Sequence, residues 1–273
     1  MIIASVLSAA LCSAAHAAPV ITLQNGNATA SIDPITGEIT GVSVADISEV
    51  QQQSIFYRVG TTGPALPLST LKETTIFPSG ESPEGGPPYD NVFMNYTGPG
   101  FTVSVSYSLI GGSSPVSASQ LTNEVFFTGT SQTPVALSAF QYDHFVLSNS
   151  FPDSVSVADG QVTQTQTTGI RSAVASVAPL SAEYQVGPSP DVLDTLAGAH
   201  FTQLNSELNS AGPGDVEFAL ESDTLLANHA VFPMVTIDTF NPGVPLPPAV
   251  WMGLTTLTAI GSISLIRRKL RTA

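Results

Sequence analysis

The stretch Phe101-Thr-Val-Ser-Val-Ser-Tyr-Ser-Leu-Ile110 alternates strictly between apolar and hydroxyl-bearing side chains. In an extended chain, a period of two places all the apolar side chains on one face and all the hydroxyls on the other. Gly111 and Gly112 then end the pattern. The segment therefore predicts a strand of an antiparallel sheet with one buried face and one face in water.

Similar short strands are predicted on both sides of this segment. The turn Asp33-Pro-Ile-Thr-Gly37 between two extended runs predicts a hairpin. Pro190 and Gly198 bracket the one short helix that the pattern predicts, because proline favours a first helical turn and glycine a last one. The remaining strands are predicted at 27–32, 38–44, 54–59, 91–96, 124–128, 135–142, 154–158, 161–167, 182–185, 216–221 and 231–239. The predicted fold class is all-β, an antiparallel β-sandwich or a related two-layer sheet structure.

The charge of the chain is strongly one-sided. Charged residues make up only 10% of the 273 residues, against about 25% in typical soluble domains. All 21 acidic residues lie between Asp33 and Asp238, and only Arg58, Lys72 and Arg171 oppose them there, so this body carries a formal charge near −18. Such a surface repels phosphate backbones, which excludes nucleic acid as a partner, and it tolerates divalent cations.

The N-terminus has the features of a signal peptide. An apolar stretch leads to Ala15, Ala17 and Ala18, and signal peptidase requires small side chains at the positions before its cut. We expect residues 1–18 to be removed by signal peptidase. Cys12, the only cysteine, would be lost with them, so the mature chain would have no disulfide and no thiolate site.

The C-terminus has the features of a membrane anchor. Residues 247–266 carry no charge, and a helix of that length spans about 30 Å, the thickness of a hydrocarbon core. A basic cluster follows and is expected to stay on the cytoplasmic side; it consists of Arg267, Arg268, Lys269 and Arg271. The sequence therefore predicts three parts: a signal peptide at 1–18, an extracellular β-sandwich-like domain at 19–240, and a C-terminal segment at 241–273 with a linker, a single transmembrane helix and a basic tail.

The C-terminal segment resembles a known sorting signal. A short proline-containing motif, Val244-Pro245-Leu246-Pro247, precedes the apolar run and the basic stop, and this order resembles the PEP-CTERM type, although Leu246 stands where that family has Glu. The resemblance implies an exosortase-like membrane protease as partner and an association with exopolysaccharide. It also implies a Gram-negative cell envelope or extracellular matrix, with the helix in the inner membrane before processing.

Candidate metal ligands are sparse. Asp143 and His144 are adjacent, and Asp215, Glu217, Glu221 and Asp223 have even spacings that would place them on one face of a strand. That face could form a weak Ca²⁺ patch. A solvated strand face is the alternative that the pattern favours, so neither a metal nor a cofactor is expected.

Candidate sugar-binding residues are aromatic, because aromatic rings stack on pyranose rings. They are Tyr89, Tyr96, Tyr142 and Tyr184, with a place in the core or at its rim as the alternative for each. Arg58 beside Tyr57 is expected to have a structural role, in a buried ion pair or a cation–π contact. Glycosidases need two facing carboxyl groups, and the sequence selects no such pair among its 21 acids.

These observations lead to a non-enzymatic function. We expect an exported cell-surface or extracellular-matrix protein, sorted through its C-terminal anchor, with no catalytic residues. The first alternative is a carbohydrate-binding module displayed by the same route. The second is a secreted glycan-active hydrolase. No sequence motif of a serine hydrolase, zinc protease, P-loop or dinucleotide site occurs in the chain.

Overall fold

A computed structural model describes residues 20–79, 88–147, 152–158, 161–166, 171–178, 183–198 and 203–242. In these residues, two antiparallel sheets pack against each other around one apolar core, which confirms the predicted all-β, two-layer fold class. A 3₁₀ turn lies at Leu68–Thr70 and the α-helix α1 at Asp191–Ala197. The strands are β1 (Ile21–Asn25), β2 (Ala28–Asp33), β3 (Glu38–Val44), β4 (Ile47–Val59), β5 (Leu66–Pro67), β6 (Lys72–Ser79), β7 (Asn91–Gly98), β8 (Phe101–Ile110), β9 (Ser119–Gly129), β10 (Val135–Phe145), β11 (Asp153–Ala158), β12 (Gln161–Gln166), β13 (Ser172–Ala178), β14 (Glu183–Pro188), β15 (Ser210–Gly214), β16 (Val216–Leu226) and β17 (Val231–Asn241).

The strand order brings distant parts of the chain side by side. The first sheet has the order β1-β2-β3-β4-β10-β16-β14, and β5 also pairs with β4. The second sheet has the order β15-β11-β12-β13-β17-β9-β8-β7-β6. From β14 onward, successive strands alternate between the two sheets. In the first sheet β10 lies between β4 and β16, and in the second sheet β17 lies in the middle.

The core forms where the alternating faces meet. In β8, the odd-numbered side chains from Phe101 to Leu109 are buried, as the period of two predicts. At the other end of the core, the ring of Phe145 makes edge contacts with Phe218 at 5.3 Å and with Phe240 at 5.7 Å between ring centres. Phe240 belongs to the second sheet, so these rings join the two layers. Full burial of one such side chain stabilises a fold by about 1.5–3 kcal/mol.

The elements agree with the prediction in part. The helix predicted at 189–198 is present as α1, and β8 has the predicted bounds, but other strands differ. Strands β1, β5, β6, β13 and β15 were not predicted. The segment of β15, Ser-Ala-Gly-Pro-Gly, has turn composition, but pairing with β11 extends it into a strand. Strand β17 continues to Asn241, the first residue of the C-terminal segment predicted at 241–273.

The predicted export signals lie outside the described residues. These are the cleavage positions Ala15, Ala17 and Ala18, the motif Val244-Pro245-Leu246-Pro247, the apolar segment 247–266, and the basic residues Arg267, Arg268, Lys269 and Arg271. Within the part of the chain that the structure describes, no helix has the length and apolar character needed to cross a membrane.

Candidate functional site

The first sheet has an outer face, which is turned away from the second sheet. Several polar side chains lie close together at the centre of this outer face. Strands β4, β10 and β16 run side by side there, and alternate residues of each project from this outer face. Their register places Ser138 opposite both Arg58 and Asp223. Two residues further along β10, Phe140 lies opposite Phe56 on β4 and Glu221 on β16. A cation, two carboxyl groups and two aromatic rings therefore lie close together, although they come from three separate parts of the chain.

Helix α1 covers part of the outer face and is fixed by a carboxylate. Glu217 Oε1 accepts hydrogen bonds from the backbone amides of Val192 at 2.6 Å and Leu193 at 2.9 Å. Its Oε2 accepts from the Tyr142 hydroxyl at 2.6 Å. A carboxylate at the first turn satisfies amides that have no partner inside the helix. Glu217 therefore acts as a cap that holds α1 on the sheet.

An apolar layer lies beneath this cover. It is a small cluster, separate from the main core, that consists of Phe56, Ala65, Phe140, Tyr142, Val192, Leu196, Leu204 and Ala219. Because the cluster fills the space between α1 and the sheet, that part of the outer face is closed to ligands. The end of the face near Arg58 is left open.

The open end contains a pocket of about 410 Å³. Pockets that bind small molecules typically measure about 300–1,000 Å³. The pocket combines a cation, two carboxyl groups, three hydroxyls and an amide with apolar wall groups. It is lined by Arg58, Gly60, Thr61, Ala136, Leu137, Ser138, Gln203, Glu221, Asp223, Thr224 and Leu225. This mixture matches the hydroxyls and apolar faces that a sugar presents.

Arg58 organises the polar wall. Its Nη2 donates to Ser138 Oγ at 2.6 Å and to Glu221 Oε1 at 3.2 Å, and it lies 3.9 Å from Asp223 Oδ1. The guanidinium carbon is 5.5 Å from the centre of the Phe140 ring. Arg58 thus makes both of the contacts that the sequence left open, an ion pair with Glu221 and a cation–π contact, although its aromatic partner is Phe140 and not Tyr57. Arg58 and Glu221 are buried, whereas the Asp223 side chain is 62% exposed.

Glu221 is placed to exchange a proton near neutral pH. Burial disfavours its charged form and raises its pKa to about 7, and the charge of Asp223 adds to this effect. The hydrogen bond from the Leu204 amide and the charge of Arg58 act in the opposite direction. A general acid or base works best when its pKa lies close to the working pH. Glu221 is therefore the strongest candidate for proton transfer in this pocket.

The predicted metal ligands do not converge. Asp143 and His144 are neighbours on β10, so their side chains project to opposite faces. His144 Nε2 lies 2.6 Å from Asp215 Oδ1, whereas Asp143 is buried between the sheets. The outer face of β16 carries Glu217, Glu221 and Asp223, as the even spacing predicted. Glu217 accepts hydrogen bonds from amides of α1, and Glu221 pairs with Arg58. Among the described residues, no three His, Cys, Asp or Glu side chains are grouped to hold a metal ion.

The four tyrosines proposed as sugar contacts lie away from the pocket wall. Tyr96 and Tyr142 are fully buried, and their hydroxyls donate to the Pro34 carbonyl oxygen and to Glu217. Tyr89 and Tyr184 are half-buried and pack against the main core. The structure places each ring in or at the rim of apolar packing, the alternative that the sequence left open.

Sequence reasoning missed the pocket as a unit. It considered Glu221 and Asp223 only as cation ligands and Arg58 only as a structural residue, and it did not consider Ser138 or Gln203. The available signal was the rarity of basic residues: Arg58 is one of three in the body, so a carboxyl group near it was to be expected. The partner could not be named, because 163 residues separate Arg58 from Glu221.

The fold is similar to that of solved proteins. No protein-family model and no curated protein sequence matches the chain. A protein of Escherichia coli K12 assigned as an aldose 1-epimerase matches with 12% identity and a TM-score of 0.51 over 82% of this chain and 98% of its own. A bacterial glucoamylase solved with acarbose matches with 12% identity and a TM-score of 0.53 over 82% of this chain, which spans 32% of the glucoamylase. A protein of Synechocystis sp. PCC 6803 matches with 8% identity and a TM-score of 0.53, over 82% of this chain and 96% of its own.

These similarities correct the functional expectation. The sequence predicted a non-enzymatic matrix protein, and that prediction is contradicted: the fold is one that carbohydrate-active enzymes have, an aldose 1-epimerase and a glucoamylase among them. The error arose because the prediction required a catalytic motif in the sequence. A site assembled from β4, β10 and β16 leaves no such motif, because its members are far apart along the chain.

Proposed function

We propose that the chain is an exported carbohydrate-active enzyme that binds a sugar in the pocket at Arg58 and uses Glu221 to move a proton. One observation carries this proposal. A carboxyl group whose pKa is about 7 forms the wall of an open, ligand-sized pocket. The likeness to an aldose 1-epimerase and a glucoamylase supports a sugar as the ligand.

The other lining residues suit a sugar. The Ser138 hydroxyl, the Gln203 amide and the exposed Asp223 carboxylate can exchange hydrogen bonds with sugar hydroxyls. The side chain of Leu225 is 67% exposed and offers an apolar surface at the pocket. Burial of apolar ring atoms against such a side chain adds affinity without a hydrogen bond.

Proton transfer at a sugar oxygen is the chemistry that the carboxyl groups allow. Opening an aldose ring and cleaving a glycosidic bond both require a proton to move to or from an oxygen on the anomeric carbon. Glu221 and Asp223 approach the same Nη2 of Arg58 at 3.2 and 3.9 Å. Their oxygens are therefore at most about 7 Å apart, within reach of one sugar unit. Glu221 and Asp223 lie side by side on the same strand, β16, and not on opposite walls of the pocket.

A second candidate function is sugar binding without catalysis. Both carboxyl oxygens of Glu221 already accept hydrogen bonds, Oε1 from Arg58 at 3.2 Å and Oε2 from the Leu204 amide at 2.9 Å. Glu221 is also only 1% exposed. This arrangement favours a binding module in which the ion pair shapes the pocket and Asp223 contacts the ligand.

Export completes the proposal. A signal peptide at 1–18 and the PEP-CTERM-like segment at 241–273 would deliver the domain to the outer side of the inner membrane, where an exosortase-like protease acts. Exopolysaccharide is then the first natural ligand to examine. Intact mass spectrometry from the native host tests this route. A mature chain that begins near Ala18 and ends near Pro247 only when the exosortase is present supports it, and retention of the basic tail in both strains contradicts it.

The activity is tested on the full chain with free aldoses and with glycosides. Nuclear magnetic resonance follows the exchange of anomers and the release of reducing ends, and calorimetry follows binding. We expect sugar-dependent turnover with an inflection near pH 7, and Glu221→Gln should abolish turnover while binding persists. Glu124→Gln, a half-buried carboxyl on β9 of the other sheet, is the matched control. Binding without turnover in the unmodified chain favours the binding module, and the absence of any sugar binding refutes both functions.

A further inference from the structure

A polar contact between the two sheets interrupts the main core. Asp143 on β10 and Asp238 on β17 belong to different sheets, and both are 0% exposed. Gln53 Nε2 donates to Asp143 Oδ1 at 2.5 Å and to Asp238 Oδ2 at 2.8 Å. One amide nitrogen therefore joins two buried carboxyl groups that come from opposite layers.

A second contact crosses at the same place. Gln141 Nε2 donates to Asp143 Oδ2 at 3.1 Å, and Gln141 Oε1 accepts a hydrogen bond from the Thr236 hydroxyl. Thr236 lies two residues before Asp238 on β17, on the same buried face. We call these five residues, Gln53, Gln141, Asp143, Thr236 and Asp238, the inter-sheet clasp. Its donors are neutral amides and a hydroxyl.

Within the described part of the chain, the titratable neighbours of the two carboxyl groups are phenols and not cations. Tyr107 on β8 interacts electrostatically with both Asp143 and Asp238, and Tyr142 on β10 interacts with Asp143. No Lys, Arg or His contact with Asp143 or Asp238 occurs among the residues that the structure describes, and Arg171 pairs with Glu49. Two ionised carboxylates in such a site are strongly disfavoured, because burial removes their hydration and like charges repel.

We propose that Asp143 and Asp238 form a proton-binding clasp: the pair holds at least one proton at neutral pH, and its loss at higher pH weakens the attachment of the two sheets. A neutral carboxyl group can accept the Gln53 hydrogen bond without the repulsion that a second charge brings. Burial raises the pKa of Asp143 and raises that of Asp238 to about 7, in agreement with this arrangement.

The direction of the pH effect follows from proton linkage. The pKa values of both groups are higher in the folded chain than in the unfolded chain, so the folded chain binds more protons between these values. Stability therefore falls as the pH rises from about 4 through about 7 and beyond. Each proton that is bound only in the folded chain changes the unfolding equilibrium constant about tenfold per pH unit.

The experiment compares urea unfolding of the full chain at pH 5 to 9 with that of Asp238→Asn. The Glu221→Gln background is used for both, because Glu221 titrates in the same range. We expect the unfolding constant of the reference chain to rise with pH. Asp238→Asn should make that rise less steep by up to about tenfold per pH unit, which is the contribution of one proton. Glu124→Gln serves as the control and should keep the full slope. An unchanged slope in Asp238→Asn overturns the proposal.

A measurement without a clasp variant provides a second test. Infrared spectroscopy of the same reference chain at pH 7.5 should show the carbonyl band of a protonated carboxyl group, although ordinary carboxylates are ionised there. Chelation with EDTA, followed by addition of calcium, is carried out in parallel. Absence of the band overturns the proposal. A melting temperature that falls with EDTA and recovers with calcium also overturns it, since a cation rather than a proton would then neutralise the pair.

Discussion

The molecule has two sites with buried carboxyl groups, and the groups that stabilise the carboxyls differ between them. In the pocket on the outer face, Glu221 lies against the guanidinium of Arg58 at 3.2 Å. In the inter-sheet clasp, Asp143 and Asp238 share the Gln53 amide as donor, and among the described side chains no cation pairs with either of them. Burial raises the pKa of Glu221 and of both aspartates.

The two sites differ in whether a cation lies beside the buried carboxyl group, and this difference affects which protonation state is stable. A cation keeps the charged form of Glu221 accessible, so this group can gain and lose a proton beside an open pocket. In the clasp, burial and the repulsion between the two carboxyl groups favour the protonated form, and the hydrogen bonds from the glutamine amides oppose this effect only in part. No substrate can enter there. The first site is therefore suited to chemistry and the second to holding the layers together. Substitutions at Arg58, Gln53, Glu217 and Asp223 test this contrast.

Arg58→Met removes the cation from the pocket. We expect a loss of about 3 kcal/mol of unfolding free energy at pH 8, because a buried carboxylate is left without its partner. The loss should be smaller at pH 5, where Glu221 takes up a proton. Urea unfolding at both pH values measures it. The double variant Arg58→Met with Glu221→Met should recover most of the loss, and equal losses at both pH values would contradict the assignment of Glu221.

Gln53→Met removes the shared donor of the clasp. We expect a loss of about 2 kcal/mol, because two buried acceptors lose a hydrogen bond at once. Gln52→Met is the matched control on the same strand: its amide lies on the outer face, is half-buried and bonds Ser54. That control should cost less than about 1 kcal/mol. Equal costs for the two variants would show that the clasp adds no stability beyond an ordinary glutamine.

Glu217→Gln weakens the cap of helix α1. We expect a loss of about 1 kcal/mol, since a neutral oxygen is a weaker acceptor for the amides of Val192 and Leu193. Hydrogen exchange at those amides should speed up more than exchange in the central strands. Uniform acceleration across the chain would instead indicate a global effect and would contradict a local cap.

Asp223→Asn tests the exposed edge of the pocket. We expect the unfolding free energy to change by less than about 0.5 kcal/mol, because an exposed carboxylate 3.9 Å from Arg58 forms a weak ion pair. Sugar affinity should fall several-fold if Asp223 bonds a hydroxyl of the ligand. Calorimetry with the best sugar ligand measures this loss. Unchanged affinity together with unchanged stability would exclude Asp223 from the site.

The sequence predicted the local elements well where one face is apolar and the other is hydroxyl-rich. Strand β8 and the hairpin of β2 with β3 follow directly from that alternation and from the turn between them. Strand β15 could not be predicted, because its glycines and proline adopt extended structure only through pairing with β11. The polar residues of the clasp gave a signal that was not used: Gln141 and Asp143 fall on the apolar face of β10.

The all-β class follows from the amino-acid sequence alone, because a period of two in apolar side chains is typical of a half-buried sheet. The acidic character of the body follows from the composition. The sites, in contrast, depend on the folded arrangement of the strands. Arg58 meets Glu221 because β10 pairs with both β4 and β16, and Asp143 meets Asp238 because the two sheets face each other. Strand pairing and layer packing depend on the summed burial of the whole chain, so no local pattern encodes which distant residues become neighbours.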